Sequence, residues 1–397
     1  MTAQLSKPNH QVNQELARAR AELKAIGADW ALLSAGENVT YVSHFEVPVD
    51  FGPAAAQRFA PPMAFFAVND SSGNLLVSDS YASGAKQATT FDQVNVYECF
   101  ALEKSVLPRE NFLNELRQML KQAGLNAGKT RLAIDGKAFP AAAAQLLAAE
   151  FPGVVLIEGG DALETARLIK TPRELVLLRA AAEVNRAGHT ELLKQTQQPG
   201  KSEFEMWSAV IRAMEEAAGH SLFVFGELVT GARCAVVRYP GGPQPVITRA
   251  GVLALMYMST RLAGYWTDCT NTMVIGGVAP TAAQKRYGVA AREAFHAAAD
   301  MLRPGRKAHE AFDAASNTFA KHGLAIGHYG GHQIGVTVNE QPRLVPWEQT
   351  VIQEGMVFSI EPGSYEGVDG SAGARMEKSV IVHSSGPEII CNFEWGF

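Results

Sequence analysis

The first part of the chain, from Val12 to about Pro152, alternates short apolar runs with amphipathic stretches. Apolar residues recur at helical spacing from about Leu16 to Ile26, while the short runs are aliphatic or aromatic and bounded by polar residues, as strands are. This alternation predicts an α/β domain. The predicted strands are WALLS (30–34), MAFFAV (63–68), LLVSD (75–79), VNVYECF (94–100), RLAID (131–135) and VVLI (154–157).

One stretch, VPVDFGPAAAQRFAPP (47–62), interrupts the alternation. It is rich in proline and alanine and longer than a typical connection between elements. It is interpreted either as a surface loop with a function or as a simple insertion.

Helix-start signals cluster where a second domain would begin. Thr171 is a predicted N-cap, Pro172 a first helical residue and Glu174 the partner in a capping box, and a helical pattern follows through Leu193. The same signature occurs at Ser202 with Glu205, and at Thr281 with Gln284 for a helix to about Leu302.

Strand-like runs lie between and after these helices. They are VLALMYMS (252–259), GYWTDCTNTMVIGG (264–277), GMVFSIEPG (355–363) and SVIVH (379–383). Paired helices with antiparallel strands predict an α+β second domain, so the chain divides near residues 160–170.

Composition limits the partners. The 397 residues are 47% hydrophobic and carry a net charge of −5 without a long basic run. That size favours two domains, and the charge pattern predicts a small-molecule partner, with neither nucleic acid nor membrane binding.

Cysteines and apolar segments bear on the compartment. The widely spaced Cys99, Cys234, Cys269 and Cys391 suggest neither a disulfide framework nor a thiolate zinc site. The chain has no signal-peptide pattern and no apolar run of about 18 residues. We therefore expect a cytoplasmic protein.

Four segments of the second domain each place one potential metal ligand in or at the end of an apolar run. These ligands are Asp268, His332, Glu361 and Glu377. Carboxylates with one imidazole suit one divalent ion of Mn, Fe, Co or Zn.

The order and context of these segments resemble the pita-bread family that contains methionine aminopeptidase, aminopeptidase P, prolidase and creatinase. The resemblance implies a creatinase-like N-terminal α/β domain over 1–165, including NVTYVSHF (38–45), and a pita-bread catalytic domain over 166–397. The matching segments are ARLIKTPRELVLLRAA (166–181), GYWTDCTNTMVIGG, GGHQIGVTVNEQPRL (330–344), EGMVFSIEPGSY (354–365) and ARMEKSVIV (374–382).

The resemblance also exposes a missing ligand. Peptidases of this family hold two metal ions with two Asp, one His and two Glu, and Tyr257 stands eleven positions before Asp268, where the first Asp belongs. The remaining four ligands complete a set for one ion, so we expect one metal or none. Tyr257 is interpreted as a space-filling residue or as a catalytic phenol.

Other departures fall at positions that resemble substrate-handling ones. Arg238 and Asn339 replace accessory histidines, Asn271 replaces an arginine, and Lys378 replaces an acid. Arg238 suits a substrate carboxylate or a salt bridge to Glu340, whereas Asn339 can only donate a hydrogen bond to an oxyanion or orient the substrate.

These features predict a hydrolase that is not a peptidase. It would cleave an amide, urea-like or cyclic amidine C–N bond of a small, carboxylate-bearing molecule with a metal-activated water. Glu361 or Glu377 would take the proton, and His332, Arg238 and Asn339 would orient the substrate; without metal, His332 would be the base. An Xaa-Pro aminopeptidase or dipeptidase, a metal-dependent lyase and a non-catalytic binding protein remain alternatives.

By the same resemblance we expect a homodimer. The 47–62 stretch, with Phe51, Arg58 and Phe59, would then reach the partner's active site.

Overall fold

The computed structural model describes residues 13–49, 52–125, 127–237 and 241–397. The chain divides into two compact units between Arg167 and Leu168. Among the helices of the described ranges, none is long and apolar enough to cross a membrane.

The N-terminal unit is built on one mixed sheet, with the strand order β4-β3-β2-β1-β5-β6. Strands β1 and β2, and β2 and β3, pair antiparallel, whereas the other neighbours are parallel. Its strands are β1 (Trp30–Leu33), β2 (Met63–Ala67), β3 (Gly73–Ser78), β4 (Gln93–Tyr97), β5 (Thr130–Ile134) and β6 (Val154–Glu158).

Helices accompany this sheet, and Phe65, Leu132 and Phe112 lie in the core between the layers. The α/β fold predicted for this half is confirmed. The helices are α1 (Gln14–Ala25), α2 (Gly36–Ser43), α3 (Gly52–Gln57), α4 (Ala82–Ala88), α5 (Pro108–Gln122), α6 (Ala141–Glu150) and α7 (Gly160–Arg167), with a 3-10 turn at Asp79–Tyr81.

The 47–62 stretch is not simply a loop, because α3 lies inside it. Its Phe51 lies outside the described residues, while Arg58 and Phe59 follow the helix. Phe59 packs its ring 5.6 Å from that of Phe112 within the same unit.

The second unit contains two helix pairs and antiparallel strands, as the α+β prediction requires. Its helices are α8 (Pro172–Thr196), α9 (Glu203–Ala218), α10 (Ala282–Met301) and α11 (Ala308–Lys321), and a 3-10 turn covers Gly231–Ala235. Its strands are β7 (Phe223–Thr230), β8 (Leu253–Leu262), β9 (Tyr265–Val274), β10 (Gly331–Gln333), β11 (Glu340–Arg343), β12 (Val357–Ile360), β13 (Gly363–Tyr365), β14 (Gly373–Arg375), β15 (Lys378–His383) and β16 (Gly386–Ile389).

Its strands form the sheets β7-β8-β9, β11-β10-β12-β15-β16 and β13-β14. A two-residue bridge between Thr270 and Glu377 joins β9 to the start of β15. This bridge places Glu377 next to the strand that carries Asp268.

The three predicted capping boxes are present, at Thr171, Ser202 and Thr281. Helix α11 was missed, because its N-cap is Lys307 and its start carries no small polar residue.

The core of the second unit lies between α10, α11 and the strands. Ala294 and Ala298 of α10 and Ala315 of α11 are small enough to let the helices approach closely, and Phe358 and Ile360 of β12 face this core. Because strand side chains alternate, residues next to these on β12 are available to the opposite face.

We predict that Thr281→Ala lowers the free energy of unfolding of the second unit by about 1 kcal/mol. The Thr281 hydroxyl accepts the Gln284 amide at 3.2 Å, and alanine leaves that helix-end donor unpaired. Urea denaturation monitored in the second unit measures the change, and Thr281→Ser, which keeps the hydroxyl, is the matched control. Equal stability of the alanine variant and the wild type would contradict the assigned cap.

Candidate metal centre

Asp268, His332, Glu361 and Glu377 converge in the interior of the second unit. His332 Nε2 lies 3.5 Å from Asp268 Oδ2 and 3.3 Å from Glu361 Oε1. One ligand atom each from Asp268, His332 and Glu377 lie within 4.8 Å of one another. All four residues are buried, with exposures between 0% and 7%.

Strand pairing explains why residues so far apart in sequence meet. Asp268 sits in the middle of β9 opposite Ser259 of β8. His332 lies on β10 opposite Ser359 of β12, and Glu361 directly follows β12. Gly331 allows the close approach of β10 to β12, since a Cβ there would lie 2.2 Å from the Ser359 carbonyl oxygen.

The ring of His332 is oriented by the backbone. Its Nδ1 lies 2.8 Å from the carbonyl oxygen of Gln333, which can only accept, so Nδ1 carries the hydrogen. Nε2 therefore points into the cluster. This arrangement is common for a metal-ligating histidine.

Burial and the short distances between the charged groups shift the pKa values of the cluster. Burial, together with the charges of Asp268 and Glu361, raises the pKa of Glu377 well above its ordinary value. Burial also raises the pKa of Asp268. For His332, burial opposes protonation, but the contacts with Asp268 and Glu361 outweigh it and raise the imidazole pKa well above its usual range. A bound cation would relieve the same repulsion.

The donor set fits a metal ion. Two ligand atoms held about 2.1 Å from one ion at a tetrahedral angle lie about 3.4 Å apart, and the contacts of His332 have that separation. Glu377 Oε1 is buried and has no hydrogen-bond partner, although its Oε2 accepts from the Thr270 hydroxyl at 2.6 Å. An unpaired carboxylate oxygen inside a protein is costly, and a metal ion would satisfy it.

Tyr257 touches the cluster. Its hydroxyl lies 2.7 Å from the Ser259 hydroxyl and donates to Asp268 Oδ2 at 3.4 Å, while Ser259 donates to Asp268 Oδ1 at 2.9 Å. Burial and the negative charge of Asp268 raise the pKa of the phenol well above its ordinary value, so it stays a donor. Tyr257 therefore makes a polar contact with Asp268 as well as filling space.

A second layer that the sequence reasoning missed supports Glu377. Arg375 donates through Nε to the Thr270 hydroxyl at 3.0 Å and through Nη2 to Glu227 at 2.8 Å, and its guanidinium lies 5.1 Å from the Tyr257 ring centre. One signal was available: Glu227 is the charged residue in the otherwise apolar β7 run FVFGELVT. A buried carboxylate in such a run requires a cationic partner.

Asn339 lies in another group beside the cluster. Its side chain accepts from Arg343 Nε at 3.1 Å and donates to the Tyr329 hydroxyl at 3.5 Å. Arg343 pairs across the strands with His332, and its guanidinium lies 5.8 Å from the Tyr329 ring centre. Asn339 thus positions an exposed arginine beside the site, which the sequence reasoning did not single out.

Arg238 lies outside the described residues. The suggested salt bridge from Arg238 to Glu340 therefore stays a prediction. Among the described residues, Lys170 forms an ion pair with Glu340 at 3.1 Å and donates to Gln333 at 2.7 Å.

Two predicted substrate-handling positions were misassigned. Asn271 donates to the Glu394 carbonyl at 2.9 Å and accepts from the Gly396 amide at 3.1 Å. Lys378 donates to the Phe393 carbonyl at 2.5 Å and lies 4.0 Å from the ring centre of Trp395. Successive strand residues point to opposite faces, so the neighbours of Thr270 and Glu377 point away from the cluster.

Both units have counterparts among known families. Residues 15–169 match the creatinase/prolidase N-terminal domain, and residues 176–384 match metallopeptidase family M24.

Curated relatives include dipeptidases. The chain is 32% identical over 242 residues to the probable dipeptidase PepE of Mycobacterium tuberculosis (strain H37Rv), a match covering 60% of this chain and 63% of the relative. It is 26% identical over 236 residues to the Xaa-Pro dipeptidase of Pyrococcus horikoshii, covering 59% and 65%. The matched part therefore spans less than two thirds of either relative's length.

Solved structures show the same fold along almost the whole chain. The prolidase from Pyrococcus horikoshii OT3 superposes with a TM-score of 0.76 at 22% identity, covering 96% of this chain and 99% of that one. Dipeptidase PepE from Mycobacterium ulcerans gives 0.74 at 23% identity, covering 96% and 95%.

The curated relatives overturn the predicted non-peptidase C–N hydrolase, since they are named as dipeptidases, one of them an Xaa-Pro dipeptidase. The physical reason for the error is visible in the site. The prediction rested chiefly on the missing first aspartate, at Tyr257, and on the accessory histidines replaced by Arg238 and Asn339. It also counted Asn271 and Lys378 as changes in the site, although both side chains hold another part of the chain, and it overlooked the exposed cation Arg343.

We predict that Glu377→Gln weakens metal binding by more than the about ten- to hundredfold typical of an outer-shell change. The amide removes a charge from the cluster while the size of the side chain is kept. Equilibrium dialysis with elemental analysis measures the affinity, and Glu354→Gln, which replaces an exposed carboxylate bonded to Ser384, is the control. Unchanged affinity of the Glu377 variant would remove this residue from the ligand set.

Proposed function

Because the chain belongs to metallopeptidase family M24, the pita-bread family, we propose that it hydrolyses the peptide bond of dipeptides of the Xaa-Pro type with the help of a divalent metal ion. The observation that carries the proposal is the buried set of Asp268, His332, Glu361 and Glu377, in which a carboxylate oxygen of Glu377 lacks a hydrogen-bond partner. The names of the relatives supply the substrate class.

Those four residues would hold the ion. When bound, such an ion polarises the carbonyl of the scissile amide and favours the ionisation of water. Glu361 or Glu377 would accept the water's proton; Glu361 Oε1 lies 3.3 Å from His332 Nε2 and the carboxylate lies beside the Tyr329 hydroxyl. The burial of the cluster limits competing water and strengthens each electrostatic contact.

Arg343 would recognise the free carboxylate that distinguishes a dipeptide from a longer chain. Its guanidinium is exposed, is held by Asn339 and Tyr329, and lies across the strands from His332. A guanidinium keeps its charge at all working pH values and binds a carboxylate through paired donors.

We further propose a single ion per chain, a manganese, iron, cobalt or zinc ion. Tyr257 has a neutral hydroxyl at the position where a second ion would need a carboxylate that binds it alone. Both oxygens of Asp268 already accept hydrogen bonds, from Ser259 at Oδ1 and from Tyr257 at Oδ2. Too few charged oxygens are left to hold a second ion tightly.

Metal stoichiometry tests the single-ion proposal. We expect one equivalent in the wild type and in Tyr257→Phe, and a second equivalent in Tyr257→Asp, because the aspartate restores the missing carboxylate. Elemental analysis after dialysis against buffered Mn²⁺ measures all three. Two tightly bound ions in the wild type would disprove the proposal.

The substrate is tested with Ala-Pro and its C-terminal amide. We expect metal-dependent hydrolysis of Ala-Pro, and in Arg343→Met a KM raised about 10- to 100-fold, the value of one or two charged hydrogen bonds. The KM for the amide, which has no carboxylate, should not change. Arg306→Met, which removes another arginine that is paired with Glu310, is the control.

The outcomes separate the two parts of the proposal. Absence of hydrolysis for Ala-Pro and for other dipeptides by metal-loaded wild type would refute the dipeptidase assignment. If Arg343→Met raises KM equally for the acid and the amide, only the role of Arg343 is refuted and the dipeptidase assignment stands.

The homodimer and the cytoplasmic location stay predictions that follow from the family resemblance and the composition. Light scattering of the full chain would measure the oligomeric state directly.

A further inference from the structure

The two residues that follow Thr270 and Glu377 in the sequence both bind one short segment, residues 393–396. Thr270 and Glu377 face the cluster and exchange backbone hydrogen bonds of 3.2 and 2.9 Å. The residue after each of them, Asn271 and Lys378, points to the opposite face. Both of these side chains end on the 393–396 segment.

Asn271 forms hydrogen bonds with the backbone of this segment at two points. It donates to the Glu394 carbonyl and accepts from the Gly396 amide, so the segment lies against β9 in one register. Gly396 permits the contact, because a Cβ there would lie 2.1 Å from the Thr272 carbonyl oxygen.

Lys378 inserts its ammonium between two rings of the same segment. The Nζ atom lies 4.4 Å from the ring centre of Phe393 and 4.0 Å from that of Trp395, and it donates to the Phe393 carbonyl. Lys378 is 4% exposed, so this cation has been removed from water. Such a group is stable in the interior only while these partners stay in place.

The segment is itself anchored to the body of the second unit. Phe393 stacks on His189 of α8 with ring centres 4.2 Å apart. Trp395 packs edge-on against Phe295 of α10 at 5.2 Å. The segment thus lies between helices α8 and α10 and the face of the strands opposite to the one from which Glu377 points into the cluster.

We propose that the 393–396 segment positions Glu377 for metal binding by clamping Lys378 and Asn271. This inference rests on the proposed metal site, because Glu377 is its ligand. The clamp fixes the strand on both sides of the Thr270–Glu377 bridge, so the carboxylate is held where His332 and Asp268 can share an ion with it. Lys378 and Asn271 are positioning residues and do not contact the reacting atoms.

The test measures the affinity for Co²⁺ and the visible absorption spectrum of the Co²⁺-loaded full chain, which reports ligand geometry. We expect Lys378→Met, Asn271→Ala and Trp395→Ala each to weaken Co²⁺ binding about 10- to 100-fold, as changes behind metal ligands do, and to alter the spectrum. Lys378→Arg keeps the cation and a hydrogen-bond donor and should restore most of the affinity. Trp347→Ala removes an indole that is 74% exposed and serves as the control.

A merely structural role would lower the melting temperature of the metal-free variants but leave the Co²⁺ affinity and spectrum as in the wild type, and that result overturns the inference. If Trp395→Ala does not fold, Asn271→Ala, which removes no aromatic packing, decides the question. Wild-type protein that binds no Co²⁺, Mn²⁺ or Zn²⁺ refutes the metal site itself. Wild-type binding with unchanged variants refutes only the clamp.

Discussion

The rest of the second unit is organised around three carboxylates and one imidazole that share a water-poor interior. Burial of like charges at such short range is unfavourable unless each is compensated, and raised pKa values at Asp268 and Glu377 show that the cost is present. A protein tolerates such a cost where the cluster has a task, and in the proposed function a divalent cation would supply the missing charge.

The surrounding layer is arranged to keep each oxygen in place. Ser259 and Tyr257 orient Asp268, while Thr270 donates to Glu377 and is itself bonded by Arg375. Tyr257 and Ser259 stand on β8 and Thr270 on the neighbouring antiparallel strand β9, whereas Arg375 ends β14 of the two-stranded sheet. The pairing of β8 with β9 therefore helps to hold the supporting groups in place.

The departures from the family pattern separate by the face of the strand on which they lie. Tyr257 faces the cluster and its hydroxyl lies 3.4 Å from Asp268 Oδ2. Asn271 and Lys378 face the other way and bind the 393–396 segment. In the sequence, Tyr257, Asn271 and Lys378 all count alike as departures from the family pattern. In the structure, the alternation of side chains along β8, β9 and β15 places Tyr257 on the face of the cluster and the other two on the opposite face.

The sequence by itself determined the fold class, the six strands of the N-terminal sheet, four strand runs of the second unit and three helix starts, because hydrophobic period and capping chemistry are local properties. The four candidate ligands followed from residue type together with the family resemblance. Cross-strand partners could be decided only by the tertiary structure. Which residue stands opposite another depends on register, and register placed Arg343 opposite His332. Glu227 and Arg375 stand in different sheets, so their contact arises from the packing of those sheets. The same holds for the 393–396 segment, whose contact with Lys378 arises from chain packing and leaves no mark in the spacing of residues.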